Sequence, residues 1–199
     1  MEDLEKLLSF LVKKYNQSVE LWNNYSVDYK VNMGKTNVRD IETNPSIMGY
    51  AHKYRDFLND TSNLQLDFQE LNLTSVVESR IKQSNSMQDK IDRYMLKSHD
   101  YGKVPLRKCL NDILGCRIIL DRDYSFEELE VFVKSKVKNV RIVDRNLGDY
   151  KAVHVYFLTG NNNNFLWELQ LWTPSNALAN YKSHHKEKQD YTDWQERKW

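Results

Sequence analysis

The stretch AVHVYFLTGNNNNFLWELQLW, residues 152–172, decides the fold. Residues 152–158 and 165–172 are rich in β-branched and aromatic side chains that alternate with polar ones, a pattern typical of strands. The asparagines at 161–164 separate the two runs and are typical of a polar loop. The sequence therefore predicts a β-hairpin here.

Outward from this hairpin, the remaining chain alternates between strand and helix patterns. Short apolar runs predict further strands at 76–77, 115–120 and 140–143. Apolar residues at helical spacing, or helix start signals, predict helices at 4–30, 47–58, 86–97, 126–137 and 174–188. The sum is an α+β protein with a mixed sheet of about five strands flanked by helices.

The pattern of predicted secondary structure changes near residue 75, from helices alone to strands with helices. Residues 1–74 are predicted to form an N-terminal helical segment, and residues 75–199 to form the core that carries the strands. The apolar stripe of the first helix fits packing against the sheet, and it equally fits docking of a partner protein or a second subunit. Residues 64–73 match neither helix nor strand clearly.

Composition excludes several classes of protein. No apolar run approaches the ~20 residues that a membrane-spanning helix needs, and the acidic start at residues 1–5 is unlike a signal peptide. Cys109 and Cys116 form neither a disulfide framework nor a zinc pattern. We therefore expect a reduced, cytoplasmic protein with no membrane partner.

The net charge of +1 gives no overall signal for nucleic-acid binding, so the distribution of charge is more informative. Lysine and arginine are concentrated at residues 80–108, 134–145 and 182–188. These stretches suit a polyanionic ligand in a basic cleft, although solvated helix surfaces have the same composition.

The first chemical cluster is basic. Arg80 and Lys82 lie at a predicted strand end, and Ser86 and Lys90 lie one turn apart on the following helix. Cations beside a helix start with a hydroxyl group are suited to hold polyphosphate. Basic strand ends that simply face solvent are the alternative.

The second cluster places Asp112 directly before an apolar strand that contains Arg117. A charge in an apolar strand is unfavourable unless it is paired or coordinated. Metal binding by Asp112 and a structural Asp112–Arg117 ion pair both satisfy this condition.

The third and fourth clusters lie on the hairpin strands. Tyr150 and His154 share one strand face, which suits stacking on a nucleobase and contact with ribose or phosphate. Glu168 and Gln170 share one face of the next strand, opposite to Leu169 and Leu171. Together with Asp112, Glu168 would complete a two-carboxylate Mg²⁺ site for phosphoryl-type transfer.

In this order, the clusters resemble the synthetase domain of the RelA/SpoT family. The matching series is R-x-K-x-x-x-S-x-x-x-K, then D-x-x-G-x-R, then Y-x-x-x-H, then E-x-Q, at Arg80, Lys82, Ser86, Lys90, Asp112, Gly115, Arg117, Tyr150, His154, Glu168 and Gln170. The resemblance covers residues 75–190 and implies the nucleotidyltransferase-like fold of that domain. With no hydrolase segment or regulatory tail evident, it implies a stand-alone small alarmone synthetase or a related toxin.

The resemblance implies transfer of pyrophosphate from ATP to a ribose 3′-hydroxyl. Arg80, Lys82, Ser86 and Lys90 would bind ATP, with Arg80 also able to stack on adenine. Asp112, Glu168 and Arg117 would form the catalytic group, with Asp112 and Glu168 on Mg²⁺ or Glu168 acting as the base. Tyr150, His154, Gln170, Arg145 and Trp172 would form the acceptor site.

Two departures from the family pattern bear on the acceptor. Trp172 stands where many members have arginine after E-x-Q-x. Many members also have Lys-x-Asn-Gly before the tyrosine; this chain lacks that motif, and Arg145 is the cation expected to take the place of its lysine. Arginine suits phosphates, whereas tryptophan offers a flat apolar face. This difference favours the 3′ end of tRNA, as in toxic members that are held by a protein antitoxin, over GDP or GTP as acceptor. Adenine nucleotides are a third possibility.

A different class of function is also open. The same fold would support a non-catalytic nucleotide or RNA sensor, although retention of Asp112 and Glu168 favours an enzyme. His184, on the predicted last helix, is a further candidate because the family often has histidine there.

Overall fold

The computed structural model describes residues 1–25, 29–60 and 66–183. Its helices are α1 (Glu2–Asn24), α2 (Ser46–Asn59), α3 (Ser84–Tyr94), α4 (Leu106–Cys109), α5 (Phe126–Lys136) and α6 (174–183). Short 3₁₀ segments lie at Val38–Ile41, Gln69–Leu71 and Lys97–Gly102. The strands are β1 (Val77–Ile81), β2 (Leu114–Ile119), β3 (Val140–Leu147), β4 (Tyr150–Phe157) and β5 (Trp167–Trp172).

The five strands form one mixed sheet in the order β1-β2-β5-β4-β3. Strands β2 and β5 run parallel, while the β1–β2, β4–β5 and β3–β4 pairs are antiparallel. This architecture, with helices flanking the sheet and a helix at the N-terminus, confirms the predicted α+β class. The hairpin expected in residues 152–172 is the β4–β5 pair.

Several element boundaries differ from the prediction. Helix α1 ends at Asn24 instead of near residue 30, after two asparagines that are poor helix formers. Strand β3 continues to Leu147 because Gly148, with a φ of +59°, and Asp149 make a two-residue turn into β4. The longer strand brings Arg145 into the sheet, opposite Ala152.

The two faces of the sheet have different compositions, because successive residues of a strand point to opposite faces. One face carries Leu114, Cys116, Ile118, Val153, Val155, Phe157, Trp167, Leu169 and Leu171. The other face carries Gly115, Arg117, His154, Tyr156, Glu168 and Gln170. We call these the core face and the polar face.

Helices α1 and α2 bring their apolar residues into one cluster with the core face. Aromatic rings supply much of the contact: Tyr54 stacks on Phe165 with centroids 4.2 Å apart, and its hydroxyl accepts from Trp167 Nε1 at 2.8 Å. Cys109 and Cys116 are both buried and free, as expected for reduced core residues. No helix within the described ranges is long and apolar enough to cross a membrane.

Candidate active site

A cavity of about 480 Å³ opens at the polar face of the sheet, beside the start of α3. Ten of the twelve site residues predicted from the sequence line it: Arg80, Lys82, Ser86, Lys90, Asp112, Arg145, Tyr150, His154, Glu168 and Gln170. They come from β1 and the residue after it, from α3, β3, β4 and β5, and from the segment before β2. The fold therefore brings together side chains that are up to 90 positions apart in the chain.

The donor side of the cavity centres on Asp112. Lys82 Nζ lies 2.7 Å from one carboxylate oxygen and Lys90 Nζ lies 2.9 Å from the other. Lys90 also donates to Asn111 Oδ1 at 3.0 Å. All three charged side chains are at most 15% exposed, so this is a buried ion triad carrying one excess positive charge.

Electrostatics at this triad are dominated by burial and by the opposing charges. Burial alone would raise the pKa of Asp112, but the two lysines hold that pKa well below its usual range. Burial lowers the pKa of Lys82, and repulsion from Lys90 adds to this effect. Burial also opposes the charge of Lys90, but the attraction and hydrogen bond to Asp112, with smaller contributions from Cys109 and Tyr94, together outweigh burial and raise the pKa. Asp112 is therefore ionised at neutral pH.

Arg80 and Ser86 complete the donor side. Arg80 is exposed on β1, opposite Gly115, so its guanidinium is accessible from the cavity. Ser86 lies in the first turn of α3, which begins at Ser84. The free backbone N–H groups and positive dipole of a helix start favour anions, and Ser86 adds a hydroxyl donor.

The opposite side of the cavity is a hydrogen-bonded ring around Glu168. His154 Nδ1 lies 2.7 Å from Glu168 Oε1, and Gln170 Nε2 donates to Glu168 Oε2 at 2.8 Å. Tyr150 closes the ring, since its hydroxyl lies 2.8 Å from His154 Nε2 and 3.3 Å from Gln170 Oε1. Burial opposes ionisation of Glu168, but His154 and Gln170 outweigh it, and the pKa lies below its ordinary value.

Helix α6 fixes the start of β4, where Tyr150 lies. Asn180, fully buried, accepts from Lys151 N at 2.9 Å and donates to Lys151 O at 2.9 Å. One amide therefore satisfies both backbone groups of the residue next to Tyr150. Sequence reasoning missed Asn180, because its role depends on a contact with a strand 29 residues away.

Arg117 and Trp172 are the two predicted site residues that do not line this cavity. Arg117 Nε pairs with Glu78, its cross-strand neighbour on β1, at 3.1 Å, so the Asp112–Arg117 ion pair considered from sequence is wrong. The Arg117 guanidinium lies 4.6 Å from the Trp172 ring, and Tyr181 of α6 packs edge-on against that ring.

This placement corrects the expectation that Trp172 presents a flat face to an acceptor. Its side chain is 0% exposed, because α6 and Arg117 cover it. Arg117 faces a second, smaller cavity of about 120 Å³, which shares Arg80 and Gln170 with the main one. His184 lies outside the described residues.

The cavity also contains residues that the sequence reasoning passed over. Tyr156 lies two residues after His154 on the same strand face, and its hydroxyl is 3.3 Å from His154 Nδ1. The same alternation that places Tyr150 and His154 on one strand face also places Tyr156 there, because Tyr156 is two residues further along. Arg93, Tyr94 and Asn111 line the cavity as well.

The residues on the donor side fit a divalent cation. The side-chain oxygens of Asp112 and Asn111 line the cavity, and carboxylate and carbonyl oxygens are the donors that Mg²⁺ prefers. Their present partners are ammonium groups on flexible stems, which phosphates can take over. Glu168 fits less well, because both its oxygens accept from residues of the sheet. Within the described residues, no three His, Cys, Asp or Glu side chains form a group that could hold a metal.

Comparisons with known proteins add little beyond this geometry. No protein-family model matches the chain, and no curated protein matches it. Among solved structures, it is similar to the crystal structure of small alarmone synthetase 1 from Bacillus subtilis bound to AMPCPP. The identity is 18%, the match covers 77% of this chain and 74% of the other, and the TM-score is 0.38. A likeness of this size does not establish a family.

Proposed function

We propose that the chain is a pyrophosphotransferase that moves the β,γ-pyrophosphate of ATP to a ribose 3′-hydroxyl. One observation carries the proposal: a single cavity joins a cationic side, a buried aspartate and a carboxylate–imidazole–phenol ring. Phosphoryl-type transfer requires charge stabilisation on one side and an oriented acceptor on the other. The cationic side of this cavity would provide the charge stabilisation, and the opposite side would orient the acceptor.

On the donor side, Lys82, Lys90 and Arg80 would bind the phosphates of ATP. Their cationic groups would neutralise the charge that spreads over the phosphate oxygens in the transition state. Ser86 would donate its hydroxyl to a phosphate at the start of α3. In the free protein Asp112 is the partner of the two lysines. When ATP binds, its phosphates would replace the Asp112 carboxylate as that partner.

Asp112 and Asn111 would hold Mg²⁺, which supplies Lewis-acid polarisation of the phosphate oxygens when it is bound. The two residues precede β2 directly and so have a fixed position relative to Glu168 across the sheet. Loss of Asp112 would remove both this oxygen pair and the partner of the two buried lysines.

On the acceptor side, Tyr150 would stack on the acceptor base and Arg145 would contact its phosphate. Arg145 is the one cation that β3, β4 and β5 contribute to the cavity among the described lining residues. A 5′-diphosphate or triphosphate on the acceptor would be better stabilised by several cations, since each would add a charge-assisted hydrogen bond. We therefore favour the 3′-terminal adenosine of tRNA over GDP or GTP, and a toxin restrained by a protein antitoxin over an alarmone synthetase.

The test is transfer of label from γ-labelled ATP, with Mg²⁺, to deacylated tRNA, GDP, GTP and AMP offered separately. We expect label on the tRNA 3′ end. Label on guanine nucleotides alone would contradict the acceptor assignment and favour an alarmone synthetase. Label on no acceptor, with ATP still bound, would favour a nucleotide or RNA sensor.

Three variants control this assay. Asp112→Asn should abolish transfer, and circular dichroism must show that it folds, because it leaves Lys82 and Lys90 without a charged partner. Arg80→Met, at an exposed position, should weaken ATP use without affecting the fold. Glu130→Gln, a residue of α5 that does not line the cavity, should leave transfer unchanged.

A further inference from the structure

Both ring nitrogens of His154 are hydrogen-bonded, and the two partners differ in kind. Glu168 Oε1 lies 2.7 Å from Nδ1, and the Tyr150 hydroxyl lies 2.8 Å from Nε2. The His154 side chain is only 10% exposed, so these contacts are made largely without water. Its Nε2 edge is the one that meets Tyr150 at the cavity.

The partners determine which nitrogen carries the proton. An ionised carboxylate only accepts, so the bond to Glu168 requires the hydrogen on Nδ1. In the neutral ring, Nε2 then has the lone pair and accepts from the Tyr150 hydroxyl. The same Tyr150 hydroxyl lies 3.3 Å from Gln170 Oε1, so it has a second acceptor available when it leaves Nε2.

Glu168 is poorly suited to receive a proton itself. Oε1 accepts from His154 and Oε2 from Gln170, so a substrate hydroxyl would have to share an oxygen that already accepts a hydrogen bond. A pKa below the ordinary value also makes this carboxylate a weak base, whereas an efficient general base has a pKa near the working pH. A carboxylate behind an imidazole instead orients the ring and stabilises its cation, as in hydrolase triads.

We infer that His154 Nε2 takes the proton of the attacking 3′-hydroxyl, while Glu168 acts as a positioning residue behind the ring. The inference rests on the proposed function and differs from the sequence prediction, in which Glu168 either shared Mg²⁺ with Asp112 or acted as the base. The substrate hydroxyl would replace the Tyr150 hydroxyl on Nε2.

The step balances in atoms and electrons. The hydroxyl oxygen forms a bond to the β-phosphorus, and the bond from that phosphorus to the α,β-bridging oxygen breaks. The electron pair of the broken bond leaves on AMP, and the hydroxyl proton moves to Nε2. The imidazolium, held by Glu168, later releases the proton to solvent and restores the starting tautomer.

The charges around His154 are compatible with this role. Tyr150 and Tyr156 face it from β4, Glu168 and Gln170 from β5, and Arg145 of β3 interacts with both Tyr156 and Glu168. The negative charge of Asp112, in the segment before β2, opposes the ionisation of Glu168 and so acts to raise its pKa. Burial, and then the charge of Glu168, raises the pKa of the Tyr156 phenol, so that group stays protonated. Among the described residues, the charge in direct contact with the ring is therefore the negative charge of Glu168.

The experiment compares His154→Gln, His154→Ala and the control His52→Gln, a histidine of α2 outside the cavity. We expect His154→Gln to lower kcat by about 10²–10⁴ while ATP binding is retained, because glutamine keeps a donor for Glu168 but takes no proton. The KM for ATP should stay near the wild-type value, since the change leaves the donor side of the cavity intact. Added imidazole should restore activity to His154→Ala in proportion to its concentration.

The opposite results would overturn the inference. If His154→Gln keeps near-normal turnover, or imidazole fails to restore a folded His154→Ala, the base lies elsewhere. Independently of turnover, ¹⁵N NMR should show the hydrogen of His154 on Nδ1, and an Nε2–H tautomer would contradict the assignment. A wild type that transfers no label would instead refute the proposed function, and the role of His154 as base would fall with it.

Discussion

The two faces of the central sheet use the same strands for opposite purposes. On β5, Leu169 and Leu171 point into the apolar core with α1 and α2, while Glu168 and Gln170 point to the cavity, and all four are buried. The core face is stabilised by removal of apolar area from water, which tolerates many arrangements of similar volume. The polar face tolerates few, because each buried polar atom needs its own partner.

This difference predicts a separation of roles between neighbouring residues. A change on the core face should alter stability and leave the chemistry of each folded molecule intact. A change on the polar face should alter chemistry with a smaller effect on stability. The ring of Tyr150, His154, Glu168 and Gln170 is the strongest case, since its members bond to one another more than to the core.

The largest effect is expected for Glu168→Gln. The new amide would donate to His154 Nδ1 and shift the ring hydrogen to Nε2, as an amide does in place of the triad carboxylate of hydrolases, where turnover falls about 10⁴-fold. We expect a loss of similar order in kcat, measured by transfer of γ-label under saturating ATP. Turnover within a few-fold of wild type would show that the polar face is not the reaction centre.

The next effect is on the core face, one residue along the strand. Leu169 is 0% exposed, and Leu169→Ala should lower the free energy of unfolding by about 2–5 kcal/mol, because it removes apolar contact and leaves a cavity. Urea unfolding measures the loss. Activity per folded molecule should be unchanged, and Val131→Ala, at a position 69% exposed, should stay within about 0.5 kcal/mol of wild type.

Local alternation explains how much of both faces could be predicted from the sequence. The strand pattern of residues 152–172 fixed the β4–β5 hairpin, and residues two apart on one strand necessarily share a face. For that reason Tyr150 with His154, and Glu168 with Gln170, could be grouped before any contact was known. Asp112 could be singled out because it comes just before the predicted strand at 115–120, and Lys90 because it lies one turn after Ser86 on the predicted helix.

The failures concern contacts between distant segments. Arg117 pairs with Glu78 because of the β1–β2 register, and no local pattern in either strand specifies that register. Trp172 is buried because α6 docks on it through Tyr181, and Asn180 binds Lys151 for the same reason. Sequence patterns identify a face, but they do not identify what covers it.

A hydrogen bond inside the core provides a finer comparison of the two faces. Tyr54→Phe keeps the ring that stacks on Phe165 but leaves Trp167 Nε1 without its partner. An unsatisfied buried donor is unfavourable by about 1–3 kcal/mol, so we expect a loss in this range by thermal or urea unfolding. Transfer activity should not change. A loss of activity at full stability would mean that the core face and the polar face are coupled.

The smallest effect concerns the junction of α1 with the segment before β1, which belongs to neither face of the sheet. Asp3 Oδ2 accepts from Thr74 N, Thr74 Oγ1 and Ser75 N at 2.7–2.9 Å. Burial opposes its ionisation, but these donors outweigh burial and lower the pKa of Asp3 to about 2.

Because the folded pKa of Asp3 is below its unfolded value of roughly 3.9, its contribution to stability is complete above that value and disappears as the pH falls towards 2. Asp3→Asn should therefore lower stability by less than about 1 kcal/mol at neutral pH, since solvent screens a carboxylate this close to the surface. The difference from wild type should shrink between about pH 4 and pH 2 in urea titrations. The matched control is Glu2→Gln, at an 82% exposed position of the same helical turn, which should stay within about 0.5 kcal/mol of wild type at neutral pH. A difference that stays constant with pH would assign the effect to side-chain shape and not to the ionised carboxylate.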